Sequence, residues 1–273
     1  MRVKVLSYTQ NPEKVVAMAG KLCYAGCSID ELEDNLTEEE INKFINMLIK
    51  IGHESPLEHI SFTFAVEGVS RVLEQQLTRH RIASYSIQSG RYVERNNPQF
   101  TKPKDIENNY VTNAIFNNLT NKASDSYIDI SNELLNQYIA DFIKDSKKDK
   151  NIINDFEITH KKEYNAFKKK AIENARMVFP NSLQTKIIFT MNLRSLINFF
   201  EHRCCMRSQD EIRELANLML KELRVISPIL FNRLGASCKV KGYCPEGSMQ
   251  CKEFKDKIPT LQQLLDNYKG ETK

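Results

Sequence analysis

From His59 to Glu67 the chain alternates: Ile60, Phe62, Phe64 and Val66 interleave with His59, Ser61 and Thr63, and Glu67 closes the run. Successive side chains of a strand point to opposite faces, so this segment is a strand buried on one face only, and it requires a sheet with another layer packed on it. The segment before it has a different period. Ile41, Phe44, Ile45, Leu48 and Ile51 recur at helical spacing behind the capping-box pair Thr37 and Glu40, and Gly52 ends the run. Two periods side by side predict an α+β fold with a central, mostly antiparallel or mixed sheet and flanking helices. A chain of 273 residues, 41% of them hydrophobic, can bury one substantial core, so a single catalytic domain is expected.

Other segments fit this plan. Val3, Val5 and Ser7 read as a strand, and Asn11-Pro12-Glu13 opens a helix through Ala19. A helix from Ser70 to near Arg79 carries Gln76. From about 105 to 165 the sequence is Lys- and Asn-rich and helical, an insertion whose apolar face is Tyr127, Ile130, Leu134, Leu135, Tyr138 and Ile139; within it Lys144 to Asp155 reads as exposed. Lys186 to Thr190 reads as a strand leading into a helix from Asn192. Ser208, paired with Glu211, caps a last helix to Ile226. The catalytic domain is expected to span residues 1–235. A peripheral tail, 236–273, carries Cys238, Cys244 and Cys251.

Composition excludes several function classes. No apolar run approaches the roughly 18 to 20 residues of a membrane span, and Met1 to Val5 reads as a strand rather than a signal peptide, so no membrane partner and a cytoplasmic location are expected. Seven scattered cysteines suggest reduced thiols, and without CxxC pairs no metal site is expected. A net charge of +4 makes no global case for nucleic-acid binding. No two of the nine glycines are separated by one residue, which rules out a Gly-x-Gly dinucleotide turn, and there is no P-loop.

An anion must therefore be recognised locally, and one stretch has the means. Gln76-Leu77-Thr78-Arg79-His80-Arg81 is followed by Ser84, Ser86, Gln88, Ser89 and Arg91, with no carboxylate until Glu94. Three arginines, a histidine and several hydroxyls supply many donors and few acceptors, as a phosphate or pyrophosphate site requires. Farther on, Arg194 and Asn198 share a helix face, and Asn192 falls at that helix's N-terminus, where free N–H groups favour anions. His53 and His59 are six apart with Pro56 between them, which rules out the helical zinc-protease motif.

The arrangement Arg79-His80-Arg81, seven residues, Ser89, one residue, Arg91 resembles the signature of the flavin-dependent thymidylate synthases. His53-Glu54-Ser55-Pro56-Leu57-Glu58-His59, Gln76, Glu173 and Arg176, and then Asn192, Arg194, Ser195, Asn198 and Arg203 are similar to further family positions. The resemblance covers about Val3 to Ile226. It implies a homotetramer with active sites shared between subunits, FAD as cofactor, and reductive methylation of dUMP to dTMP with NADPH and 5,10-methylenetetrahydrofolate as cosubstrates. It assigns Ser55, Arg79, His80, Arg81, Asn192, Leu193, Arg194 and Asn198 to FAD. To dUMP it assigns Gln76, Leu77, Thr78 and Arg79, then Ile87, Gln88, Ser89, Gly90 and Arg91, with Arg176 and Arg203. Arg203 is the expected catalytic cation and Ser89 the group near the pyrimidine. Family members often carry a polar or acidic residue where Ile87 stands, so a contact made there is lost or replaced by Gln88.

Two other readings use the same residues. A non-enzymatic RNA- or nucleotide-binding protein would use the Arg79 to Arg91 patch with Tyr85 and Tyr92 stacking on bases. A thiol enzyme would use Cys204 or Cys205, activated by Arg203.

Overall fold

In a computed structural model of the chain, residues 1–145, 155–251 and 257–271 are described. In order they form β1 (Arg2–Tyr8), α1 (Pro12–Leu22), α2 (Ile29–Asp34), α3 (Glu38–Ile51), β2 (Ser61–Ser70), α4 (Arg71–Leu77), β3 (Ser84–Ile87), α5 (Lys104–Asn108), α6 (Tyr110–Asp145), α7 (Phe156–Thr159) and α8 (Lys161–Ala175). β4 (Gln184–Asn192), α9 (Leu193–Arg203), α10 (Asp210–Ile226), α11 (Pro228–Phe231), α12 (Ser237–Lys241) and α13 (Leu261–Glu271) follow. The fold is α+β, with one four-stranded antiparallel sheet of order β1-β2-β4-β3. Most of the segment Lys144 to Asp155 lies outside the described residues.

The chain forms two compact units. The first comprises Met1–Glu67, Gln75–Ser86 and Ile187–Lys273; the second comprises Gly68–Glu74 and Ile87–Lys186.

In the first unit β1 and β2 pair antiparallel with Val5 opposite Phe64, and a register shift falls between Val5 and Ser7. The alternation read from the sequence becomes the core: Phe62, Phe64 and Val66 of β2 and Ile187, Phe189 and Met191 of β4 are all buried. Phe64 stacks on Phe189 with ring centroids 5.3 Å apart, and Thr63 and Thr190 join by a 2.8 Å hydroxyl bond. Leu196, Phe199 and Phe200 of α9 and Ile212, Leu215, Met219 and Leu223 of α10 are buried as well. Both capping boxes at the N-termini of α2 and α3 are complete, Ser28 with Glu31 and Thr37 with Glu40. α2, six residues long, was not expected from the sequence, being too short for hydrophobic periodicity to show. Strand β3 is a similar case, hidden inside the arginine-rich stretch. The cap of α10 differs from expectation by one residue. Gln209 accepts the Ile212 N–H, whereas the Ser208 hydroxyl donates to the His202 carbonyl.

In the second unit the Ser70 hydroxyl accepts the Leu73 N–H and starts α4. The 36-residue α6 packs along α8. Tyr127, Ile172 and Ala175 form one buried cluster with Val178 and Phe179 against it; Ile139, Ile143 and Phe156 form another. Of the apolar face expected on α6, Ile130 is exposed, while Tyr127 and Ile139 are buried.

Gly52 ends α3 in the left-handed region (φ 70°), where an added Cβ would meet nothing within 4 Å. Gly52→Ala therefore isolates backbone strain and should cost about 1–2 kcal/mol of unfolding free energy in a denaturant titration. Gly52→Asn should recover part of the loss.

Candidate active site

Leu77 ends α4 with its side chain fully buried, and the chain turns sharply after it. Its carbonyl accepts the His80 N–H at 3.1 Å and the Tyr85 hydroxyl at 2.8 Å, and the same hydroxyl lies 2.8 Å from the His80 carbonyl. Burial pushes the Tyr85 phenol up to about 12, so it remains a donor throughout the physiological range. Tied in this way, the turn exposes Arg79 and Arg81 and sends the His80 ring inward against Phe199, edge-on with centroids 5.0 Å apart. Thr78 and Gln76 are half-buried beside it.

α9 supplies the other half of this arrangement. The Asn192 side chain caps it by accepting the Ser195 N–H at 2.8 Å, and the Leu193 N–H donates to the Ile60 carbonyl at 3.0 Å. Leu193 is buried in the core, as Leu77 is, and neither side chain lines the two cavities described below. Asn198 is exposed on the same helix. At the last residue of α9, the Arg203 Nε–H donates to His80 Nε2 at 3.1 Å. A guanidinium has only donors, so His80 must be the neutral tautomer with its proton on Nδ1. Burial, then the charges of Arg203 and His202, lower the His80 pKa from 6.5 to about 4. Burial and the nearby Arg79 also lower the Arg203 pKa. Arg203 stays cationic all the same. Two like charges held together beside a neutral histidine are stabilised by an incoming anion.

Two cavities of this unit meet here, sharing Arg79, His80, Asn198, Glu201 and Lys241. The smaller, about 810 Å³, is also lined by Arg81, Asn192, Arg194 and Ser195, with Ile82 and Ile197 as apolar wall. Arg194 is held between Glu54, at 3.1 Å, and Glu58. Both acids lie in the turn that carries Ser55, whose exposed hydroxyl is 3.3 Å from His53 Nε2. The larger cavity, about 1230 Å³, runs from Arg203 to the C-terminal segment and is lined by Cys204, Cys205, Cys238, Cys244 and Cys251. The tail expected to be peripheral therefore forms a wall of the Arg203 cavity. Burial, its largest influence, pushes the Cys204 thiol up to about 11, which leaves it protonated and a poor nucleophile. Among the described residues no three His, Cys, Asp or Glu side chains are grouped to hold a metal ion.

The second unit brings together the other expected residues. Gly90 is buried, and a Cβ there would stand 3.2 Å from Arg176 Cδ, 3.4 Å from Arg176 Nη1 and 3.8 Å from Arg71 Nη2. A Cβ there would crowd these guanidinium groups, which glycine lets lie close to the backbone. The Ser89 hydroxyl oxygen accepts the Arg91 N–H at 3.1 Å, and Arg91 Nε lies 2.8 Å from Glu173. Arg176 Nε donates to the Glu173 carbonyl at 3.1 Å. The Gln88 N–H donates to the Lys186 carbonyl at 2.9 Å, next to half-buried Ile87. Arg71 pairs with Glu74 at 2.5 Å.

Sequence reading missed the roles of Tyr85, Glu54, Glu58 and Arg71. Tyr85, expected to stack on bases in the RNA-binding reading, has its hydroxyl tied to two carbonyls, and its ring lies 6.0 Å from Phe189. Tyr92 is exposed but lies under cations, with Lys169 Nζ 4.2 Å from its ring centre.

Residues 4–229 match the family described as thymidylate synthase complementing protein. Among the similar proteins, a flavin-dependent thymidylate synthase of Clostridium tetani is 50% identical over 92% of this chain and 93% of its own length. Namesakes from Geobacter sulfurreducens and Pyrococcus furiosus are 37% and 34% identical, over 92% and 90% of this chain and 94% and 90% of their own. The chain belongs to the flavin-dependent thymidylate synthase family.

Because the folded His80 pKa lies below the unfolded value, the unfolded chain binds the proton first as pH falls. The contribution of neutral His80 to stability is complete above about pH 6.5 and is lost as pH falls towards about 4. Histidine NMR should show the His80 ring still neutral at pH 5.5, and His80→Gln should remove part of the acid sensitivity seen in thermal melts.

Proposed function

We propose that this chain catalyses the reductive methylation of dUMP to dTMP, using 5,10-methylenetetrahydrofolate as the one-carbon donor and NADPH as the reductant and releasing tetrahydrofolate. Family membership supports the reaction, and the pairing of Arg203 with neutral His80 beside Arg79 is the observation that carries it to particular residues. FAD, when bound, would supply the redox chemistry that the new methyl group requires, with NADPH as the source of reducing equivalents.

The smaller cavity fits such a group. Arg79, Arg81, Asn192, Ser195 and Asn198 offer donors to a pyrophosphate and its sugars, and Ile82 and Ile197 offer apolar contact. Ser55 and Arg194 lie on the adjoining turn and helix. Because Glu54 and Glu58 already hold Arg194, it serves FAD chiefly by keeping that turn in place.

The dUMP phosphate suits the second unit, where Arg91 and Arg176 flank Gly90 and Ser89. The Ser89 oxygen already accepts a backbone N–H, so its hydroxyl proton is the group offered to substrate. Gln76, Leu77 and Thr78 contribute through the turn that carries Arg79. Arg203 acts on the pyrimidine: a permanent cation beside it stabilises the negative charge that develops across N3 and the carbonyls as C5 becomes nucleophilic. The neutral His80 fixes the direction of that guanidinium and adds no second charge.

We place the reaction in a cytoplasmic homotetramer with active sites shared between subunits. Tyr110, Val111, Ile115 and Leu119 give α6 an exposed apolar stripe at helical spacing, as a helix covered by another copy would have. No helix among the described residues is long and apolar enough to cross a membrane.

The purified protein should be yellow, release FAD on denaturation, and convert dUMP to dTMP when given NADPH and the folate; a colourless protein that binds RNA in a salt-sensitive way would favour the rival reading. Arg203→Ala should nearly abolish dTMP formation while leaving bound flavin largely intact, as read by turnover and visible absorbance. Arg91→Ala loses a charge-assisted contact of ~1.5–3 kcal/mol, so dUMP binding by calorimetry should weaken roughly ten- to hundredfold.

A further inference from the structure

Arg95 lies just beyond the residues assigned to dUMP, and its environment is unusual for an arginine. It is half-buried, and its Nε is fully enclosed without a hydrogen-bond partner. Its backbone N–H donates at 3.2 Å to the hydroxyl of Tyr127, itself 2% exposed and packed among Ile172, Ala175 and Phe179. Its side chain turns back along the chain, where Nη2 donates to Gln88 Oε1 at 2.9 Å. The neighbouring groups acting on its charge are Arg71 and Tyr127, with no carboxylate among them. Enclosing a guanidinium in this way is costly unless the contact it makes is useful.

The contact determines the orientation of an amide. A free glutamine amide can present either its oxygen or its nitrogen. A guanidinium, having only donors, can face only the oxygen. Gln88 Nε2, for which no hydrogen bond is found among the described residues, is thereby left as the group free to donate. The backbone beneath it is fixed by the Gln88 N–H bond to Lys186 and by Gly90 packed against Arg176. Ile87, next to Gln88, has no side-chain polar atom to offer.

We infer that Arg95 is a positioning residue for nucleotide recognition: it holds the Gln88 amide so that a donor, Nε2, meets an acceptor oxygen of the substrate, either on the phosphate or on the pyrimidine. This rests on the assignment of residues 87–91 to dUMP. The Nε2–H donates only to an acceptor and disfavours another donor at the same place. Arg95 thus sets a preference at a distance, without touching the ligand, and takes up the polar contact that Ile87 lacks.

The experiment uses the flavin-loaded full-length enzyme and the variants Arg95→Ala, Arg95→Lys, Gln88→Leu, Gln88→Glu and the Arg95→Ala/Gln88→Leu pair, with dUMP and deoxyuridine as probes. Arg95→Ala and Gln88→Leu should each raise the dUMP KM roughly tenfold with a much smaller change in kcat. The pair should be no worse than either alone, because both remove one device. Arg95→Lys, which keeps a donor and the charge, should restore most of the affinity. Gln88→Glu keeps the Arg95 contact while replacing the donor with an acceptor, so it should lose dUMP affinity at unchanged or higher Tm; this arm stands even if Arg95→Ala does not fold. A defect that disappears with deoxyuridine puts the acceptor on the phosphate, and one that persists puts it on the pyrimidine; both agree with the inference. Wild-type dUMP affinity in Gln88→Leu or Gln88→Glu, or additive losses in the pair, would overturn it. A wild-type enzyme that binds no dUMP would overturn the functional reading and this inference with it.

Discussion

The hydrogen bond from Arg203 to His80 needs several unrelated features at once. The imidazole must be neutral, which burial against Phe199 ensures; its backbone must be held, which Leu77 and the Tyr85 hydroxyl do; and the guanidinium must emerge at the end of α9 at the right height. That height depends on where α9 starts, and so on the Asn192 cap and the Leu193 N–H bond to Ile60. The sheet core of Phe62, Phe64 and Phe189 and the polar site above it are thus parts of one construction. A loss in either is felt in the other.

The two clusters of site residues use different means to hold positive charge. Around His80 a neutral acceptor holds Arg203, whose charge feels the exposed Arg79 nearby, with Glu201 and Lys241 paired beside them. Around Gly90 several guanidinium groups share a small volume, each steadied by an acid or an amide: Arg71 by Glu74, Arg91 by Glu173 and Arg95 by Gln88. Both arrangements favour an anion, the first with a polarising cation at its edge and the second with a buried glycine that admits close approach.

Part of this was legible in the order of residues. The helix over 38–51 and the strand from 61 were expected from periodicity and caps because burial on one face imposes a period on any amphipathic element. Short elements escaped: β3 has four residues and α2 six, too few for a period to show. The α10 cap was misread because Ser208 and Glu211 have capping-box spacing, yet the Ser208 hydroxyl found a carbonyl across the turn instead. The C-terminal cysteines were set aside as peripheral since nothing local marks a segment that folds back to line a cavity.

The sequence by itself determined the α+β class, the arginine-rich turn, the family and the candidates for each role, because those depend on residue type and on spacing within a few turns of chain. Tertiary structure decided the charge state and direction of those groups. That His80 is neutral, that Arg194 is engaged by Glu54 and Glu58, that Tyr85 supports the turn rather than a ligand, and that Arg95 orients Gln88 all follow from burial and from partners that local sequence pattern does not reveal. Electrostatics and hydrogen bonding act over a few ångströms of space whatever the separation along the chain. A residue's type can therefore be read in one dimension, but what it can do depends on neighbours that only folding brings together.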